Sequence, residues 1–157
     1  MKESDFVGDW YWADKQIWQQ GELPTAENHQ LVESALSGYG GGYSSDRIYV
    51  SIWHILKRYE HQPPPIVQSD IAIENEPGDQ TFKMAFAQVG QSIASECLTM
   101  RTTRGTGPTA CKIAVNYNHT RSVLFVTASE RMNIGTLQKI IDGLMVGIDR
   151  RIQNTGN

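Results

Sequence analysis

The 157-residue chain, 39% hydrophobic and 20% charged, has the composition of one globular domain and can bury about two-thirds of its unfolded surface. A formal net charge of -3 and a pI near 5.8 give no overall pull toward nucleic acid or an anionic membrane surface. No stretch approaches the length of apolar residues needed for a membrane-spanning helix, and no Cys/His cluster has zinc spacing.

The chain opens Met1-Lys2-Glu3-Ser4-Asp5, with no apolar core of a signal peptide. It therefore reads as a cytosolic protein or as the mature or truncated part of an exported one. Ser4 can cap a helix to about Gln20, with Phe6, Trp10, Ala13 and Ile17 at helical spacing. Trp10, Tyr11, Trp12 and Trp18 crowd this one element. Gly21 ends it, and Pro24 fits the connection that follows. Thr25 caps a second predicted helix, with Leu31, Val32, Ala35 and Leu36 on one face to about Ser37. Gly38 to Ser45 reads as a loop.

Residues 46–60 fit two periods. Ile48, Val50 and Ile52 alternate like a strand, whereas Ile48, Ile52, Ile55, Leu56 and Tyr59 fit a helix over a longer span. The longer match predicts a third helix, stopped by Pro63, Pro64 and Pro65. The helical part of the chain is thus expected over about 4–60. Val67, Ser69, Ile71 and Ile73 then predict a strand over 66–74. Glu76-Pro77-Gly78-Asp79 is a turn, because Pro presets the second position and Gly accepts a positive φ after it. Phe82, Met84 and Phe86 predict the partner strand of a hairpin, to about Gln88.

Val89 to about Arg101 reads as a short helix with Ile93, Cys97 and Met100 on one face. Ile113, Val115 and Tyr117 predict a third strand. Val123, Phe125 and Thr127 predict a fourth, and Val123-Leu124-Phe125-Val126 has the low polarity of a strand buried on both faces. The β-rich part is expected over about 66–128. Asn133 caps a last helix, over about 133–152, whose stripe is Ile134, Leu137, Ile141, Leu144, Met145 and Ile148. The expected fold class is α+β. It has a helical N-terminal part, an antiparallel sheet of about four strands in two hairpins, an intervening helix, and a long C-terminal helix packed on the sheet.

Cys97 and Cys111 are the two cysteines of the chain. They are either two buried free thiols, as in a cytosolic protein, or one disulfide closing a loop of about 15 residues, worth roughly 3 kcal/mol in the chain-entropy model. The absence of a third thiol and the Gly/Pro loop between them favour the disulfide, and a disulfide favours an extracytoplasmic location. The pair would then tie the 89–101 helix to the next strand, leaving Arg101 to Ala110 as an exposed excursion.

Catalytic chemistry has little support. His29, His54, His61 and His119 sit in no recognisable motif, and a helical His54/His61 pair seven residues apart cannot chelate a metal directly. Arg101 and Arg104 lie near the cysteines and could activate a thiolate, but there is no Cys-x-x-Cys. The loop Arg101-Thr102-Thr103-Arg104-Gly105-Thr106-Gly107 has donors for an anion, yet lacks phosphate-loop spacing and follows the predicted helix instead of preceding one.

Three stretches share their layout with a known family. QLVESALSGYGGGYSS, TFKMAFAQVGQSIASEC and ACKIAVNYNHTRSVLFV follow in the order helix into a Gly/Tyr-rich turn, strand into a Cys-bearing helix, and second Cys before a late strand. Over about residues 28–128 this resembles the globular head of type IVb pilins. The resemblance implies an extracellular fibre subunit whose cystine-bounded region is exposed for assembly or attachment.

The reading is a non-enzymatic extracytoplasmic interaction module, pilin-like or an envelope assembly component, stapled by Cys97–Cys111. Its expected contact residues are Trp12, Trp18, Arg101 and Arg104. Its expected partners are proteins, including further copies of itself. No cofactor, metal, nucleic acid or membrane span is expected. The alternatives are an acidic cytosolic adaptor or secretion-chaperone-like protein with reduced thiols, and a small enzyme using a His and a carboxylate.

Overall fold

The computed structural model describes residues 12–18, 31–43, 48–103 and 105–155, with backbone alone for the first two segments. Seven strands form one antiparallel sheet: β1 (Trp12–Trp18), β2 (Leu31–Tyr43), β3 (Ile48–Tyr59), β4 (Gln80–Phe82), β5 (Ser92–Thr102), β6 (Gly105–Asn116) and β7 (Thr120–Ala128). Their order across the sheet is β1-β2-β3-β7-β6-β5-β4. Two helices complete the described elements, the one-turn α1 (Gln68–Ile71) and the long α2 (Ile134–Thr155).

The α+β class and the C-terminal helix stand as expected. The strand count does not, because β3 to β7 alone make five strands where the pattern predicts four, and β1 and β2 extend the sheet beyond β3. The helical N-terminal part is corrected wherever it is described: Trp12–Trp18, Leu31–Tyr43 and Ile48–Tyr59 are strands. Residues 1–11, 19–30 and 44–47 lie outside the described residues, and the rest of that expectation falls there.

In β3 the shorter, two-residue period wins. Val50, Ile52 and His54 are buried, and the residues between them are less so. β-branched side chains at 48, 50, 52 and 55 suit a pleated surface better than a helix.

The topology is two meanders joined side by side. β1-β2-β3 forms one and β4-β5-β6-β7 the other, with β7 pairing antiparallel to β3 from Val50↔Ala128 to Arg58↔Thr120. β7 is thus central, and Val123, Leu124 and Val126 are all buried, as its low polarity predicts. The link from β3 to β4 must cross from the middle of the sheet to its far edge. Residues 60–79 make that crossing. α1 lies within it, in place of the strand predicted over 66–74; the Asp70 carboxylate accepts the Val67 N–H at 2.9 Å and closes a turn there.

Each face of the sheet has its own cover. On one face α2, about 33 Å long, packs Leu137, Ile141, Leu144, Met145 and Ile148 onto Ile52, Cys97, Cys111, Ile113, Leu124 and Val126. Asn133 caps it as predicted, accepting the N–H of Gly135 at 2.8 Å and of Thr136 at 3.3 Å. On the other face Ile71 of the crossover packs with Ala114 and Val123, against Ile55, Ile66 and Ala94.

The predicted hairpin of 66–74 with 80–88 does not form. The Glu76–Asp79 turn does: Asp79 N–H donates to Glu76 C=O at 3.1 Å and Gly78 has φ +103°. β4 pairs with β5 instead, through Gln80↔Thr99, Thr81↔Leu98 and Phe82↔Cys97. The 89–101 helix is also corrected. Only Gly90 and Gln91 lead into β5, which pairs with β6 along its length.

Gly90 is the hinge of that entry. Its φ is +64°, and a Cβ there would stand 2.6 Å from both the Asn116 carbonyl oxygen and Val115 Cγ1. Gly90→Ala is expected to destabilise the fold by more than about 1 kcal/mol, measured as a lowered urea midpoint with unchanged slope. An unchanged midpoint would contradict this placement.

Candidate functional site at the β5 edge

The two cysteines face each other across β5 and β6 and are bonded, Cys97 being 1% and Cys111 0% exposed. Their Cα atoms are 4.1 Å apart. That is the close spacing of a non-hydrogen-bonded antiparallel pair, in which both residues turn their N–H and C=O away from one another. The cystine thus ties two paired strands beneath α2, instead of a helix to a strand. The expected exposed excursion is corrected with it: β5 and β6 run on as a hairpin through Arg101↔Thr106 and Thr102↔Gly105, with Gly107, Thr109 and Ala110 buried.

Arg101 is exposed, and its N–H donates to Asp79 Oδ1 at 2.8 Å. The same carboxylate accepts the Glu76 N–H at 3.0 Å. The Glu76 and Arg101 amides together hold the Asp79 carboxyl below its usual range. These bonds stabilise the fold above the ordinary carboxylate range and are lost as pH falls through the lowered value. A small pocket of about 230 Å³ lies here, lined by Gln80, Thr99, Met100, Arg101, Gly105 and Thr106 with Gly78. Asp79, kept negative beside it, opposes the anion that the Arg/Thr/Gly composition suggests. Arg104 lies outside the described residues, as do the side chains of Trp12 and Trp18 in β1.

The histidines are separated. His54 is buried on β3, and its Nε2 lies 2.9 Å from Ser122 Oγ. His61 and His119 are exposed, and His29 lies outside the described residues. Among the described residues no group of three His, Cys, Asp or Glu side chains could hold a metal ion.

A second polar cluster, without a signature in the sequence, fixes the crossover. Arg121 on β7 is buried. Its Nε donates to Asn116 Oδ1 at 2.8 Å, one terminal nitrogen donates to Asp70 Oδ2 at 2.9 Å, and the other donates to the Pro64 carbonyl. Asn116 Nδ2 also donates to Pro64 C=O at 3.0 Å, and the Tyr59 ring lies 5.9 Å from the guanidinium. The polar groups of this cluster are matched to one another, as burial demands. Its role is to anchor the crossover. Tyr117 nearby in sequence is likewise structural: burial, and next the Asp149 charge, push its phenol well above the ordinary value.

A wider concavity than the one beside Arg101 lies at the sheet edge. Pairing between β4 and β5 stops at Phe82↔Cys97, and residues 83–90 peel away toward α2. Three α2 side chains hold them there. Asp142 Oδ1 accepts the Ala87 N–H at 2.8 Å, Asp149 Oδ1 accepts the Gly90 N–H at 3.1 Å, and the Gln138 amide donates to Ala85 C=O. Met84 and Phe86 point into the core beneath α2. The gap left beside β5 has a volume of about 580 Å³, with Ile71, Lys83, Met84, Ile93, Ser95 and Glu96 among its lining residues. The alternation from Phe82 to Gln88 conceals it, since an alternating pattern does not say where pairing ends.

No family model, curated protein or solved structure matches this chain. Among the described residues no helix is long and apolar enough to cross a membrane.

Replacing Arg121 by Met removes the guanidinium that joins Asp70, Asn116 and the Pro64 carbonyl, leaving Asp70 only the Val67 N–H and the Pro64 carbonyl only Asn116 Nδ2. Arg121→Met is expected to cost about 3 kcal/mol, measured by chemical denaturation, and to speed amide exchange at residues 66–72 more than in α2. Uniform exchange across both would contradict the anchoring role.

Proposed function

We propose that this chain is a non-enzymatic contact module of an oxidising, extracytoplasmic compartment. The observation that carries the reading is the buried cystine, formed between strands already in register. Such a bond persists where thiols are not kept reduced. The polar clusters are consistent with this reading, because each is consumed in holding backbone: Arg121 on the crossover, Asp79 on the turn, Asp142 and Asp149 on the 83–90 segment.

Contact surfaces in this reading lie at the two edges of the sheet. Trp12 and Trp18 belong to β1, the edge strand at one end, and Arg101 lies near the turn of the β5–β6 hairpin toward the other; Arg104, the fourth residue of this reading, lies outside the described residues. A pilin-like fibre subunit or envelope assembly component is the narrower form of the reading; of the layout that suggests it, the second Cys ahead of a late strand is kept, whereas its two helices are the strands β2 and β5. Sheet edges are natural sites for such assembly, since they present unpaired backbone groups.

Alkylation of the denatured protein, isolated from its native compartment with free thiols trapped on lysis, tests the claim. No alkyl group is expected before reduction and two after it; two alkyl groups before reduction would overturn the extracytoplasmic reading. Cys97→Ala/Cys111→Ala is expected to lose about 3 kcal/mol of stability, and an unaltered denaturation midpoint would remove the staple role.

A further inference from the structure

Among the described residues the edge of β5 has no partner strand beyond Phe82↔Cys97, and the register says which atoms are left over. At the Cys97–Cys111 position the short Cα separation of 4.1 Å places the N–H and C=O of Cys97 on the side away from β6. There they meet Phe82 of β4. Counting back by twos along the strand, the N–H and C=O of Ser95 and Ile93 point the same way. Arg101 confirms the phase, since its N–H leaves β6 to meet Asp79. Among the described residues no backbone hydrogen bond reaches Ser95 or Ile93 from the 83–90 segment.

These atoms open into the 580 Å³ groove. Its walls come from both faces of the sheet. Ala94 and Glu96 stand on the crossover side, where Glu96 accepts the Gln68 amide at 3.0 Å. Ile93 and Met84 stand on the α2 side. The outer wall is the 83–88 segment, which cannot swing in to pair with β5 while Gln138, Asp142 and Asp149 hold it. The gap is therefore part of the fold.

We propose that this groove takes one extended peptide segment of a partner protein, added to β5 as a further strand beside Ile93–Glu96. The proposal rests on the contact-module reading and names the chemistry of the partner. Unpaired donors and acceptors two residues apart are matched by another extended backbone, and four residues of strand span about 13 Å. A second copy of this chain fits less well. Its own edge strand would arrive with a sheet on its far side, and here α1 and the 83–88 segment wall the groove on both flanks. Lys83 lines the groove and has no ion pair among the described residues. The peptide is accordingly an extended segment, with small or apolar side chains toward Ile71 on one face and Ile93 on the other and an acidic residue toward Lys83.

The test is selection of phage-displayed random heptapeptides on the oxidised full chain. Enriched peptides are then synthesised and titrated by fluorescence anisotropy. Sequences rich in small or apolar residues and carrying an acidic one are expected. Lys83→Glu should remove the acidic preference. Ser95→Pro deletes an N–H that faces away from β6, so it should weaken binding at least tenfold while the cystine and melting temperature persist. If Ser95→Pro does not fold, N-methylation of the peptide decides: methyl groups on alternate amides facing β5 should abolish binding, and those on the intervening amides should not. Absence of enrichment, or binding indifferent to both backbone changes, overturns the proposal. Concentration-dependent dimers in sedimentation that Ser95→Pro dissolves would assign the groove to a second copy and overturn it as well. Thiol counting is independent of all of these, so a cystine without enrichment sinks the groove alone, and enrichment with free thiols sinks the compartment alone.

Discussion

The pairing of β5 with β6, locked at Cys97 and Cys111, sets what the rest of this structure can do. In an antiparallel ladder each residue can turn its backbone polar groups to one neighbour only. Placing the cystine at a non-hydrogen-bonded position commits Cys97 to β4 and leaves Ser95 and Ile93 facing the gap. A slip of one residue would turn the cystine out from beneath α2 and move every side chain of β5 to the other face. Register, cystine and open edge are therefore one constraint seen from three sides.

The two covers of the sheet are fixed in different ways. α2 is held largely by apolar burial, through a stripe of Leu, Ile and Met on β3, β7, β6 and β5. The crossover from β3 to β4 has few apolar residues and is held by a guanidinium instead. Arg121 binds Asp70, Asn116 and the Pro64 carbonyl together. The three consecutive prolines suit this use, since an extended backbone without N–H donors leaves carbonyls free to accept from Arg121 and Asn116. α2 also shapes the sheet edge. Its Gln138, Asp142 and Asp149 hold the 83–90 segment away from β5, so the helix that completes the core keeps the groove open as well.

The legible parts of the sequence are those with strong local signals. The Pro77-Gly78 turn, the apolar run in β7, and the Asn133 cap with its long stripe each carry a local signal that tertiary structure does not override. β3 misleads because Ile48, Ile52, Ile55, Leu56 and Tyr59 satisfy a helical period, while the strand uses both faces and blurs its own alternation. β5 misleads because Ser92, Ser95 and Glu96 are polar and break the apolar alternation, while the crossover packs on Ala94 and reaches Glu96 through Gln68. The cysteine pairing is readable, but its geometry is not, since it depends on a register that no local pattern encodes. Arg121 gives no signal, because its partners are 5, 51 and 57 residues away along the chain.

Residue-resolved amide hydrogen exchange across β5, in the free and oxidised protein, tests the central geometry most directly. The open-edge register predicts an alternation: slow exchange at Ala94, Glu96 and Leu98, whose N–H groups face β6, and fast exchange at Ile93 and Ser95. Cys97, paired with Phe82, should return to slow exchange. Uniform protection from Ile93 to Leu98 would mean that the edge is already paired, and the register drawn from the cystine would be wrong.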